Sequence, residues 1–179
     1  CFLSRPRSVT IQPIHWGGGK TMDDKTNAMR LLDTQKIKYE TAEYEVDEND
    51  LSGVHLAETV GVDVSVVYKT LVVRGEKTGI NVFVIPAAKE LDLKRCAAAA
   101  GDKRVEMIHV NELLPLTGYI RGGCSPVGMK KKYPTFIDSS AFSHDRIYVS
   151  AGQRGVQLII SPEDLKNAVS AVVGDYVRG

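Results

Sequence analysis

Residues 117–138 read T-G-Y-I-R-G-G-C-S-P-V-G-M-K-K-K-Y-P-T-F-I-D, and they concentrate the groups able to do chemistry. Gly122, Gly123 and Gly128 permit backbone conformations closed to other residues and let a ligand approach the main chain closely. Ser125 adds a hydroxyl, and Pro126 stiffens the loop while removing one N–H. Arg121 precedes the glycines, and Lys130, Lys131 and Lys132 follow. A Gly-rich loop with spare N–H groups beside such cations suits a phosphate, a ribose or a developing oxyanion. A tight turn before a solvated basic strand is the plainer alternative, because Gly-rich turns are common.

Lys69 is the second feature, set among Val66, Val67, Tyr68, Leu71, Val72 and Val73. A lysine inside an apolar strand is costly unless its ammonium reaches water, an acid or a ligand. Snorkelling to a sheet edge is the ordinary solution. Cys124 is the sharpest candidate nucleophile, since it lies in the Gly loop near cations that would lower its pKa. A small apolar filler is the alternative role. His15, His55, His109 and His144 are isolated and no Cys/His cluster has ligand spacing, so no metal is expected. Nothing singles out a Ser–His pair for a triad. The residues alone describe an anionic-ligand site and name no reaction.

The chain has 179 residues, 43% hydrophobic and 25% charged, which fits one globular domain. With 23 basic and 22 acidic side chains the formal charge is +1, so a nucleic-acid partner would have to be held by a local patch. No apolar run approaches the roughly 20 residues of a membrane span. The three cysteines are odd in number and widely spaced, which suits a reducing cytoplasm better than a disulfide framework. Residues 1–21 begin with Cys1, and Met22 looks like a natural start, so 1–21 is read as a vector-derived or disordered segment and 22–179 as the single domain. Gly17-Gly18-Gly19-Lys20-Thr21 resembles the end of a P-loop but lacks the preceding buried strand.

The elements that must position these groups follow from period and punctuation. A helix is expected over 26–36 with Thr26 as cap, then a half-buried strand over 41–46 with Ala42, Tyr44 and Val46 on one face. A helix over 50–60 closes at Gly61, and a short helical turn covers 63–67. A hairpin joins 67–74 to 80–85, and a helix capped by Asp92 stops at Gly101. A short strand is expected over 103–107 and a helical turn over 111–114, broken by Pro115. Strands over 135–138, 146–150 and 156–160 precede a last helix, capped by Ser161, with Leu165, Ala168, Val169, Val172 and Val173 inward and Gly174 as its end. The sum is α+β: a mixed, largely antiparallel sheet or barrel with helices packed around it.

Taken in order, V-Y-K-T-L from Val67, L-D-L-K from Leu91, K-R-V-E-M from Lys103, T-G-Y from Thr117, G-G-C-S-P-V-G-M-K-K from Gly122, P-T-F-I-D from Pro134 and I-Y-V-S-A-G-Q-R-G from Ile147 resemble the YbaK/EbsC family. These are free-standing relatives of the prolyl-tRNA synthetase editing domain. The likeness runs from about Thr26 to the C-terminus and is strongest to the family's Cys-tRNA(Pro) deacylases.

The resemblance implies trans-editing, since a pocket sized for proline has little binding energy with which to reject cysteine. It implies that Lys69 holds the terminal adenosine or its phosphate, or stabilises charge at the carbonyl. It places Gly122, Gly123, Ser125, Pro126 and Gly128 in a loop whose N–H groups hold substrate oxygens, and Tyr44, Asp138, Ser150 and Gly152 among the pocket residues. The family mechanism lets the substrate's own thiol attack its ester, with a positioned water as the alternative. No cofactor is implied. Prolyl-tRNA synthetase is the implied partner, tRNA(Pro) the carrier and the cytoplasm the compartment. Cys124 stands where an aliphatic residue is expected and Ala151 where glycine is, which bears on amino-acid specificity. Hydrolysis of another ester, such as Ala-tRNA(Pro), and a non-catalytic tRNA- or nucleotide-binding module are the competing functions.

Overall fold

The computed structural model describes the backbone of residues 10–12 and residues 25–178. Nine strands and five α-helices are formed by these residues. The strands form two open sheets, ordered β1-β2-β8-β7 and β5-β3-β4-β6-β9. The α+β class holds, with two sheets in place of one and no closed barrel among the described residues. The first sheet, of β1 (Thr10–Gln12), β2 (Glu40–Glu43), β8 (Val156–Ile160) and β7 (Ile147–Ser150), is antiparallel throughout. β1 belongs to the segment set aside in the sequence; its three residues pair with Glu43, Ala42 and Thr41. The rest of 1–21, including the P-loop-like stretch and His15, lies outside the described residues.

In the second sheet, β5 (Val105–Met107), β3 (Tyr68–Gly75) and β4 (Gly79–Pro86) are antiparallel. β6 (Thr135–Asp138) and β9 (Val172–Gly174) extend it in parallel. An isolated bridge from Val67 to Tyr148 joins the two sheets beside Lys69. From Asn81 to Ile85 β4 is buried on both faces, which explains its near-continuous apolar run. Val84 enters the larger core with Leu158, Ile160 and Leu165, while Phe83 and Ile85 face the second core. There Phe83 stacks on Phe136 at a centroid distance of 4.7 Å and meets the Tyr176 edge at 5.2 Å.

Each helix is eight residues long: α1 (Asn27–Thr34), α2 (Gly53–Val60), α3 (Leu93–Ala100), α4 (Val110–Thr117) and α5 (Pro162–Val169). Helices this short are marginal alone, so packing and caps hold them. Thr26, Ser52, Asp92 and Ser161 each accept a backbone N–H at an N-terminus. Gly61 and Gly101 close α2 and α3 in left-handed conformations.

Three expectations need correction. α4 runs through Pro115. Asn111 and Pro115 are both exposed, so the carbonyl that loses its N–H partner can meet solvent. α5 ends at Val169, with Ser170 left-handed at φ 53°, and the next residues leave as β9. The β-branched pair Val172–Val173 suits a strand, and the edge of β6 offers it partners; both valines are exposed rather than inward. Thr41, expected on the open face of its strand, is buried together with Ala42, so both faces of β2 are covered there.

Candidate active site

A cavity of about 410 Å³ lies against the first half of β3. β3 supplies Lys69 and Thr70, the approach to α2 supplies Leu51 and Leu56, and α4 with its lead-in supplies His109 and Leu113. The Gly loop contributes Arg121, Gly122 and Cys124, and the β7–β8 pair contributes Ser150 and Gln157. Most of the wall is apolar. Lys69, Arg121 and His109 are its basic side chains, and among the described residues no carboxylate lines it.

Lys69 is held by the β3–β4 ladder opposite Ile85. It is half-buried, and burial lowers its pKa below the ordinary lysine value, with the charge of Glu90 pulling the other way. Glu90 itself pairs with Arg178 at 3.7 Å. The lysine flagged as awkward in the sequence therefore faces a cavity without a carboxylate to neutralise it. Thr70 next to it has a buried hydroxyl with no partner among the described residues.

The structure brings Lys69, Gly122 and Ser150 into one cavity. Ser150 pairs across the sheet with Gln157, and its Oγ accepts from the Gly152 N–H at 3.2 Å. Tyr44 lines an adjoining recess of about 30 Å³, which shares Leu51, Ser52, Leu56 and Gly122 with the cavity. Burial raises the Tyr44 pKa, and hydrogen bonds from Gly155 and Gln157 oppose that.

The remaining candidates stand behind the wall. A Cβ on Gly123 would lie 3.0 Å from the Arg154 nitrogen, so this glycine admits protein backbone. Ser125 is fully buried, and its Oγ accepts from the Val127 N–H at 3.2 Å. Pro126 and Gly128 face a separate pocket of about 230 Å³ with Lys131 and Lys132. Asp138 is buried, and it accepts from the Ser140 N–H and hydroxyl and from the Tyr176 N–H at 3.0 Å. Gly152 gives way to the Tyr119 ring, which a Cβ there would meet at 2.7 Å.

Cys124 does line the cavity, but burial pushes its thiol up to about 12, with a Thr117 hydrogen bond opposing. The nearby cations do not lower it as expected. Burial thus disfavours the thiolate that a nucleophile would need, which fits the small apolar filler better. Gln157 was missed: it is 3% exposed and lines the cavity from the apolar run V-Q-L-I-I. A polar residue in a buried strand is the same signal that marked Lys69. Among the described residues no group of three His, Cys, Asp or Glu is placed to hold a metal ion. Among them, too, no helix is long and apolar enough to cross a membrane.

A family model described as the aminoacyl-tRNA editing domain matches residues 51–168. A protein of Enterococcus faecalis, EbsC, named as a candidate Cys-tRNA(Pro)/Cys-tRNA(Cys) deacylase, is 48% identical over 144 residues, 80% of this chain and 88% of its own. A crystal structure described as a candidate trans-editing enzyme for prolyl-tRNA synthetase superposes with TM-score 0.71 at 25% identity, covering 79% of this chain and 87% of that one. A crystal structure of the hypothetical protein APE2540 superposes with TM-score 0.79 at 27% identity, covering 86% of this chain and all of that one. An editing-type fold around a cationic cavity defines the class, and the chain belongs to the aminoacyl-tRNA editing domain family in its YbaK/EbsC branch.

Proposed function

We propose that this protein is a trans-editing aminoacyl-tRNA deacylase that hydrolyses Cys-tRNA(Pro), and Cys-tRNA(Cys) as well. The observation that carries the proposal is Lys69, a half-buried cation facing a largely apolar cavity with no carboxylate in its wall among the described residues. Such a site favours an anionic end group and a small apolar acyl group together. The terminal adenosine enters past Arg121 with its phosphate on the basic side. Lys69 holds that end or stabilises charge building at the ester carbonyl. Gly122 faces the ester, and Ser150 and Gln157 meet ribose or amino-acid polar atoms.

The acyl–oxygen bond breaks and the tRNA hydroxyl leaves with a proton. The attacking group is the substrate's own thiol, held against the carbonyl, or a water in the same position. The thiol passes its proton to the departing hydroxyl and closes a cyclic thioester that water then opens to cysteine, whereas the water route gives cysteine directly. Neither route uses Cys124. Residues 22–179 are the unit that carries this activity, in the cytoplasm and without a cofactor. With a formal charge of +1, the chain has little long-range pull on tRNA, so prolyl-tRNA synthetase supplies tRNA choice.

Turnover and filter binding, measured together for the wild type and Lys69→Ala, test the enzyme reading. The deacylase loses hydrolysis while tRNA is still bound. A chain that only binds tRNA shows no turnover to lose, and Lys69→Ala then weakens its affinity in a salt-dependent way.

A further inference from the structure

Arg154 ties three segments together in the recess that adjoins the cavity. Its Nε donates to the Arg121 carbonyl at 2.8 Å, and its Nη1 meets Glu48 Oε2 at 2.6 Å. Glu48 lies between β2 and α2, Arg121 opens the Gly loop, and Arg154 itself lies in the turn between β7 and β8. The joint is tight. A Cβ on Gly122 would stand 3.3 Å from Arg154 Nε and 3.3 Å from Leu51 Cδ1.

The bond to the Arg121 carbonyl fixes a whole peptide plane. The described residues contain no cis peptide, so the Gly122 N–H points opposite to that carbonyl. With the carbonyl on Arg154, the N–H is turned away from Arg154. Among the described residues no backbone acceptor takes it, although the Gly123 N–H donates to the Ile120 carbonyl at 2.9 Å. Gly122 lines the cavity, so among the described residues this donor is left at its wall without a backbone partner.

We propose that Arg154 is a positioning residue: by holding the Arg121 carbonyl, it aims the Gly122 N–H at the oxygen of the scissile ester. The proposal rests on the deacylase reading above. A planar guanidinium makes both bonds at once, which a lysine ammonium on its flexible stem does not reproduce. The Glu48 carboxylate is mostly exposed, so that half of the joint contributes little alone. The bond to the loop carbonyl carries the effect, and it acts when charge grows on the ester oxygen rather than when tRNA binds.

The test combines kinetics on Cys-tRNA(Pro) with amide NMR of the substrate-free protein, for the wild type, Arg154→Ala, Arg154→Lys and Glu48→Gln. Arg154→Ala and Arg154→Lys are expected to lower kcat about tenfold or more with KM changed less than about threefold. Both are expected to shift the Gly122 amide resonance. Glu48→Gln, which keeps the bond to the loop, stays within about threefold in kcat. A kcat for Arg154→Ala within twofold of the wild type overturns the proposal, as does a loss confined to KM or accompanied by unfolding in both Arg154 variants. If the wild type leaves Cys-tRNA(Pro) intact, the deacylase reading falls by itself. The Gly122 resonance then decides the positioning claim: unmoved by Arg154→Ala, it overturns it.

Discussion

Tyr119 donates its hydroxyl to the Val127 carbonyl at 2.7 Å, closing the Gly loop on itself. The same ring fills the space that a Cβ on Gly152 would need. One buried side chain thus joins the Gly loop to the β7–β8 turn that carries Arg154. Tyr119→Phe keeps the ring and strands a buried carbonyl, since Val127 is fully buried. The expected cost is about 1–3 kcal/mol, read as a lowered Tm in thermal unfolding. An unchanged Tm contradicts this role.

Gly128 and Gly61 separate backbone strain from crowding. Both have left-handed φ, +77° and +81°. A Cβ on Gly61 meets nothing within 4 Å, whereas one on Gly128 lies 2.7 Å from the Ala28 nitrogen and 2.8 Å from the Tyr119 hydroxyl. Gly61→Ala is expected to cost about 1–2 kcal/mol from the conformation alone. Gly128→Ala adds about 1–3 kcal/mol of overpacking. Denaturant unfolding of the two variants checks the difference, and equal losses refute it.

Lys69 is expected to trade stability for function. Burial puts its folded pKa below its unfolded value. The unfolded chain then binds more protons across that window, and stability rises as pH climbs through it. Below it, where the lysine is charged, the folded state carries a penalty. Lys69→Met is therefore expected to raise Tm at neutral pH while cutting kcat at least about a hundredfold. Turnover that needs the ammonium fades on the alkaline side below the ordinary lysine pKa, once uncatalysed hydrolysis is subtracted. Lys69→Arg stays protonated and loses that limb. A limb that persists in Lys69→Arg, or a lower Tm in Lys69→Met, contradicts the assignment.

Cys124 and Cys96 are both buried, with thiols pushed up to about 12 by burial. Peptide mapping after brief alkylation of the native protein at pH 7.5 is expected to find both unmodified, and both modified after unfolding. Cys124→Ala is expected to keep turnover within about threefold. Rapid labelling, or a loss beyond tenfold, would restore Cys124 as a nucleophile.

What the sequence made legible is mostly local. Thr26, Asp92 and Ser161 announce helix starts, and Gly61 and Gly101 helix ends, through bonds to residues only a few positions away. Lys69 was legible because its polarity contradicts its strand, and Gln157 carried the same contradiction unread. The glycines of the loop signalled close approach correctly but not what approaches. For Gly123 and Gly128 it is backbone, and for Gly152 a tyrosine ring. Asp138 looked like a site carboxylate, yet it is consumed by Ser140 and by the distant Tyr176. β9 depends on the edge of β6, more than thirty residues earlier, and no local pattern reports that. Partners remote in sequence decide whether a polar residue faces a ligand or a neighbour.

Deacylation of radiolabelled Cys-tRNA(Pro), with Ala-tRNA(Pro) alongside, tests the central claim most directly. The account predicts that the wild type releases cysteine and that Lys69→Ala does not; survival of the alanyl ester, which has no thiol, assigns the attack to the substrate's thiol, and its cleavage beside the cysteinyl ester assigns it to water. Hydrolysis of the alanyl ester with the cysteinyl ester left intact, or no turnover of either, would contradict it.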